Sequence, residues 1–102
     1  MNHNEFLANL LALSETMLEH GRQGEWEDVE RLEAVRRQGL EACFATPVAA
    51  ADASTARDLL ERLLKVDKEL TALAAHTRDE AGARLAELRT GRRASAAYAA
   101  NV

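Results

Sequence analysis

Few side chains in this sequence could do chemistry: His3, His20 and His76, the lone Cys43, the acidic group Glu25, Glu27 and Asp28, and serines such as Ser14 and Ser54. Metal binding needs His and Cys at short spacings that bring several ligand atoms to one point. The three histidines share no such spacing with one another or with Cys43, and each reads as a surface or interface residue. Glu25, Glu27 and Asp28 could be imagined as an acidic metal site. They also open a helical segment, where the helix dipole favours negative charge, and that explains them better. Nucleophilic catalysis needs a base within reach of the hydroxyl, and neither serine has a histidine at a suggestive offset. A protein with no catalytic set, no metal and no cofactor is expected.

Two charged residues say more because they fall on apolar stripes. Arg36 lies in line with Val29 and Leu40, and Asp67 sits between Leu63 and Leu70. A charge on a buried stripe is costly unless paired. Arg36 and Asp67 are therefore expected to meet as an ion pair between two helices, fixing their register. One helical turn of slippage would leave both unpaired. The alternative is that both sit at the stripe margins and reach solvent.

The elements that would position them are helical. With 47% hydrophobic residues but only 4% aromatic, 29% charged residues and one proline, the chain has the composition of an all-helical bundle. The alternating Val, Ile and aromatic runs of strands are missing. The longest periodic stretch covers residues 54–89, where Leu59, Leu60, Leu63, Leu70, Leu73, Ala74, Thr77, Ala81, Leu85 and Leu88 recur at steps that share one helix face. Asp58 with Arg62, Glu61 with Lys65, and Glu80 with Arg84 are spaced four apart with the acid first, the favourable order on the opposite face.

Two shorter segments precede it. Asn2 and Glu5 resemble a capping box for a helix over about 3–20, and Gly21 is expected to end it in a left-handed conformation. After a short turn, Trp26, Val29, Arg36, Leu40, Cys43 and Phe44 mark a second helix over about 25–45, ended by Pro47. Trp26 and Phe44 would pack at opposite ends of the bundle. A small-residue linker, 48–53, leads to Ser54 or Thr55 as cap of a third helix over about 54–90, which Gly91 closes. The Ala-rich remainder, with Tyr98 its one large side chain, would form a fourth helix over about 92–100 only when docked. The fold class is all-α: one domain, 1–102, an antiparallel three-helix bundle with a long third helix and a short C-terminal fourth.

A net charge of −4 argues against direct nucleic-acid binding. The single cysteine cannot form an intramolecular disulfide. No secretory leader and no membrane-length apolar run is present, so a cytoplasmic protein is expected.

The lengths do not match. The long stripe would span about 54 Å as a helix, whereas its two predecessors reach only roughly 25 and 30 Å. The part from Leu73 through Leu88 lacks cover, and an exposed apolar strip of that size is usually an interaction site. Leu73, Leu85, Leu88 and Tyr98 are the candidate partner-binding residues. The cover could be the tail folding back with Tyr98, a second copy in a homodimer, or a partner's amphipathic helix. A tail competing with a partner for one groove would act as a brake.

Several stretches together resemble the FliT family of flagellar export chaperones. Leu11-Ala12-Leu13-Ser14-Glu15-Thr16-Met17-Leu18 resembles its first helix. Gly24-Glu25-Trp26-Glu27-Asp28-Val29, followed by Leu32-Glu33 and Arg36-Arg37, resembles its most specific segment. Leu63-Leu64-Lys65-Val66-Asp67-Lys68-Glu69-Leu70 resembles a third. Leu85-Ala86-Glu87-Leu88-Arg89-Thr90-Gly91-Arg92-Arg93-Ala94, with Tyr98, resembles its closing segment. The resemblance implies a cytoplasmic type III export chaperone that binds the C-terminal helical region of the filament-cap protein FliD. It would prevent premature assembly and aid delivery to the export apparatus, with components of the export ATPase as further partners. The family's C-terminal helix is associated with restraining partner access. Some members bind the master regulator complex FlhDC, so a regulatory adaptor acting by occlusion is the second reading. A self-associating structural bundle is the third.

Overall fold

The first helix starts where its cap does. The side-chain oxygen of Asn2 accepts the Glu5 amide at 2.8 Å, and the Asn2 amide donates to the Glu5 carboxylate at 3.3 Å. Such a cap contributes about 1 kcal/mol. In the computed structural model, which describes residues 2–45, 47 and 49–100, this helix is α1 (His3–Arg22). It is followed by α2 (Trp26–Phe44), one 3-10 turn (Ala50–Asp52) and α3 (Ala53–Ala100). No strand occurs among the described residues.

The glycine that ends α1 is not the expected one. Gly21 stays inside the helix and is buried, while Gly24 takes the positive φ of 77°. The Glu25 amide donates to the His20 carbonyl at 2.9 Å, and the Gly24 amide to the Gly21 carbonyl at 3.1 Å. Those two bonds satisfy carbonyls that a helix end leaves orphaned, in the Schellman pattern. Gly21 serves packing instead. A Cβ there would stand 3.2 Å from both Leu70 Cδ1 and Trp26 Cη2, closer than ordinary van der Waals contact.

The chain then runs back along α2 and forward again along α3. Leu7, Leu10 and Leu11 near the start of α1 pack with Cys43 at the end of α2 and with Ala56 and Leu63 of α3. Met17 and Leu18 pack with Val29 and Leu70, flanked by Trp26, Leu32 and Leu73. Val66 touches both clusters. Gly39 lets α2 come in on α1, since a Cβ there would lie 2.7 Å from Leu10 Cδ2. Leu7 and Met17 are wholly enclosed, and each such side chain stabilises by roughly 1.5–3 kcal/mol.

Two expectations about α3 are corrected. It begins at Ala53 after the 3-10 turn, so Ser54 and Thr55 lie in its first turn rather than capping it. Val48, part of the expected linker, lies outside the described residues. At the other end there is no separate fourth helix. Residues 92–100 continue α3 without a break. Gly91 does not stop it because its φ is not positive. One glycine costs a helix interior only about 1 kcal/mol, and the arginines and alanines around it are good helix formers. The result is a rod of 48 residues whose first half is packed and whose second half is not. Every side chain described from 78 to 99 is exposed, and the molecule measures 79 × 21 × 20 Å.

Candidate functional site

The titratable groups resolve first. His3 Nε2 lies 3.0 Å from the Cys43 carbonyl oxygen and 3.4 Å from the Cys43 Sγ. The ring thus meets a carbonyl in the last turn of α2, where helix geometry supplies no partner, and ties the start of α1 to the end of α2. Burial raises the Cys43 thiol pKa. A buried thiol held neutral is a packing group, since the thiolate is the reactive form.

His20 makes contacts that its spacing did not suggest. The Schellman turn brings its Nδ1 to 3.1 Å from a Glu25 oxygen and 3.8 Å from an Asp28 oxygen. One ligand atom from each of the three lies within 4.8 Å of the others. The signal was present in the sequence: a basic residue in the last turn of one helix, acids in the first turn of the next, and a three-residue connection. The group also has a structural role, tying the end of α1 to the start of α2. His76 sits on the α3 surface beside Glu80 at 3.1 Å. Glu80 is thereby paired backwards along the helix, and not with Arg84 as its spacing suggested.

Arg36 and Asp67 are brought together. Arg36 Nη2 donates to Asp67 Oδ1 at 2.8 Å, and Arg36 Nη1 donates to Ser14 Oγ at 3.2 Å. Ser14 in turn donates to the Leu10 carbonyl at 3.0 Å. One guanidinium therefore touches α1 and α3 from α2. The Arg36 side chain is 12% exposed and Asp67 42%, so the pair lies at the rim of the core with its acid partly in water. Ser14 falls on the apolar stripe of α1 with Leu7, Leu10, Leu11, Met17 and Leu18, and that place gives it this structural role.

The four candidate partner-binding residues divide. Leu73 is half-buried beside Met17, Leu18 and Trp26, and its Cδ2 would be 3.4 Å from a Cβ on Gly21. It belongs to the packed body. Leu85, Leu88 and Tyr98 lie beyond it and are 49%, 61% and 78% exposed. The tail is not folded over them, because it is part of the same helix. A shallow hollow runs along this projecting half, lined by Arg84, Glu87, Leu88, Gly91, Arg92 and Ser95. No described residue packs over these three side chains. No described helix is long and apolar enough to cross a membrane.

The sequence model of the family described as flagellar protein FliT matches residues 5–100. No curated protein matches the chain, and no solved structure does.

Proposed function

We propose that this chain, which belongs to the FliT family, is a cytoplasmic, non-enzymatic flagellar export chaperone that binds the C-terminal helical region of the filament-cap protein FliD. The observation that carries this reading is the uncovered half of α3, where Leu85, Leu88 and Tyr98 stand open to solvent with none of the described residues over them. A helix in this state is half of a helix-in-groove contact. The mechanism is masking: the partner's apolar stripe is covered by α3 until export, so it neither aggregates nor assembles early. The packed body of α1, α2 and the first half of α3 holds the projecting helix in place.

Isothermal calorimetry of the co-encoded FliD C-terminal segment against the full chain tests this. A double substitution, Leu85→Asp with Leu88→Asp, is titrated in parallel, its fold checked by circular dichroism. Binding that the double substitution abolishes supports the chaperone reading. No heat from the unsubstituted chain sinks it.

A further inference from the structure

We infer that the partner helix received by the projecting half of α3 carries acidic side chains along the edges of its apolar stripe. This rests on the masking reading above and specifies the chemistry of what is masked. On the helix surface Arg84 and Arg92 fall on either side of Leu88, at four residues before and four after, with Gly91 and Ser95 between and beyond them. Gly91 and Ser95 leave room for a close approach, and a Cβ on Gly91 would meet nothing within 4 Å. Arg84, Leu88 and Arg92 share one row of the helix, so the hollow is a short apolar and small-residue patch with a guanidinium group at each end along the axis.

The charge of this stretch is opposite to that of the chain. Arg84, Arg89, Arg92 and Arg93 against Glu87 leave three net positive charges on residues 84–98, while the whole chain carries −4. Among the described residues none of these four arginines is ion-paired. The same is true of Arg57, Arg62 and Arg78 earlier on α3, whereas every arginine on α1 and α2 is paired: Arg22 with Glu19, Arg31 with Asp28, Arg36 with Asp67 and Arg37 with Glu33. The helix dipole does not account for the contrast, because it acts within the last turn, and Arg93 lies two turns before Ala100. Guanidinium groups bordering an apolar strip are suited to bidentate capture of carboxylates. A second copy of this chain is a poor occupant of the hollow. Two-fold pairing there would set Arg84 and Arg92 of one copy against those of the other, like charge on like.

The test uses three synthetic helical peptides of about 21 residues, three heptads sharing one leucine stripe. Their edge positions are all Glu, all Gln or all Lys. Each is titrated into the full chain, and into a chain with Arg84→Glu and Arg92→Glu, at about 50 and 300 mM salt, conditions that shorten the screening length by a factor of about 2.4. The Glu peptide is expected to bind at least about tenfold more tightly than the Lys peptide. The gap narrows at high salt, and the order reverses in the substituted chain. Equal affinities, or preference for the Lys peptide, overturn the inference and leave the masking function standing. No binding by any peptide also overturns it, and the FliD segment titration then decides separately whether the masking function fails with it. Exposed substitutions on a projecting helix leave the packed body intact, which circular dichroism verifies.

Discussion

Arg36 on α2 and Asp67 on α3 meet at 2.8 Å while the other arm of the same guanidinium reaches Ser14 on α1 at 3.2 Å. One side chain therefore records the register of three helices. Removing it costs less than breaking a fully buried pair, because Asp67 is half in water and the Ser14 hydroxyl keeps its bond to Leu10. Arg36→Ala is expected to destabilise by about 1–2 kcal/mol. For a chain this size that lowers Tm by roughly 4–16 °C. Asp67→Asn should cost less, and the double substitution less than the sum. Urea unfolding of the four chains measures it, and strict additivity would mean that the pair contributes no coupling.

The glycines should separate by sign. Gly39→Ala places a methyl 2.7 Å from the buried Leu10 Cδ2, and Gly24→Ala forces an alanine into φ 77°. Each should destabilise by about 1 kcal/mol or more. Gly82 and Gly91 have open space where a Cβ would go and no positive φ. Alanine at either should stabilise the helix locally by about 0.5–1 kcal/mol. Hydrogen exchange is the right measurement, since the projecting half opens locally without unfolding the body. Slower amide exchange over residues 85–95 in Gly91→Ala is the expected result; faster exchange there would mean Gly91 bends the rod.

The same glycines show what the sequence could convey. Periodicity made α1, α2 and the apolar face of α3 legible, because burial leaves a spacing signature that one chain displays by itself. The Arg36–Asp67 contact was legible because a charge on an apolar stripe must be neutralised. Helix ends were less so. Gly21 and Gly24 stand three apart with the same composition around them, and only the packing of Leu70 and Trp26 against Gly21 decides which one turns. Gly91 looked like a stop, yet none of the described residues packs beside it to reward a bend. His20 with Glu25 and Asp28 depended on a turn geometry that follows from Gly24 and not from Gly21.

Cys43 gives a pH dependence with a defined sign. Burial raises its thiol pKa in the folded chain, so the folded state holds that proton at pH values where the unfolded state has released it. With more protons bound when folded, stability falls as pH rises. The loss begins once pH passes the ordinary thiol value, about 8.5, and ends above the raised folded value. Below that window the thiol contributes no slope. Urea unfolding between pH 7 and 10 in the parent chain and in Cys43→Ala isolates the effect, because lysine and tyrosine titrate alike in both. A steeper decline in the parent is expected, and parallel curves would contradict it.

Leu73 and Leu88 lie on one periodic stripe and should respond in opposite ways to the same change. Leu73 packs beside Trp26 and against the backbone at Gly21, so Leu73→Asp removes that packing and sets a half-buried carboxylate against apolar side chains. A loss of about 2–4 kcal/mol is expected, with partner binding lost only as the fold is lost. Leu88 stands 61% exposed fifteen residues further on. Leu88→Asp there should change unfolding stability by no more than about 0.7 kcal/mol, the helix-propensity difference between leucine and aspartate. Yet it should weaken binding of the FliD segment by tenfold or more. Paired urea unfolding and calorimetry on both variants give the readout. If Leu88→Asp destabilised the chain as Leu73→Asp does, the stripe beyond Leu73 would have to be covered in solution by some part of the chain itself, and the open face would not be the binding site.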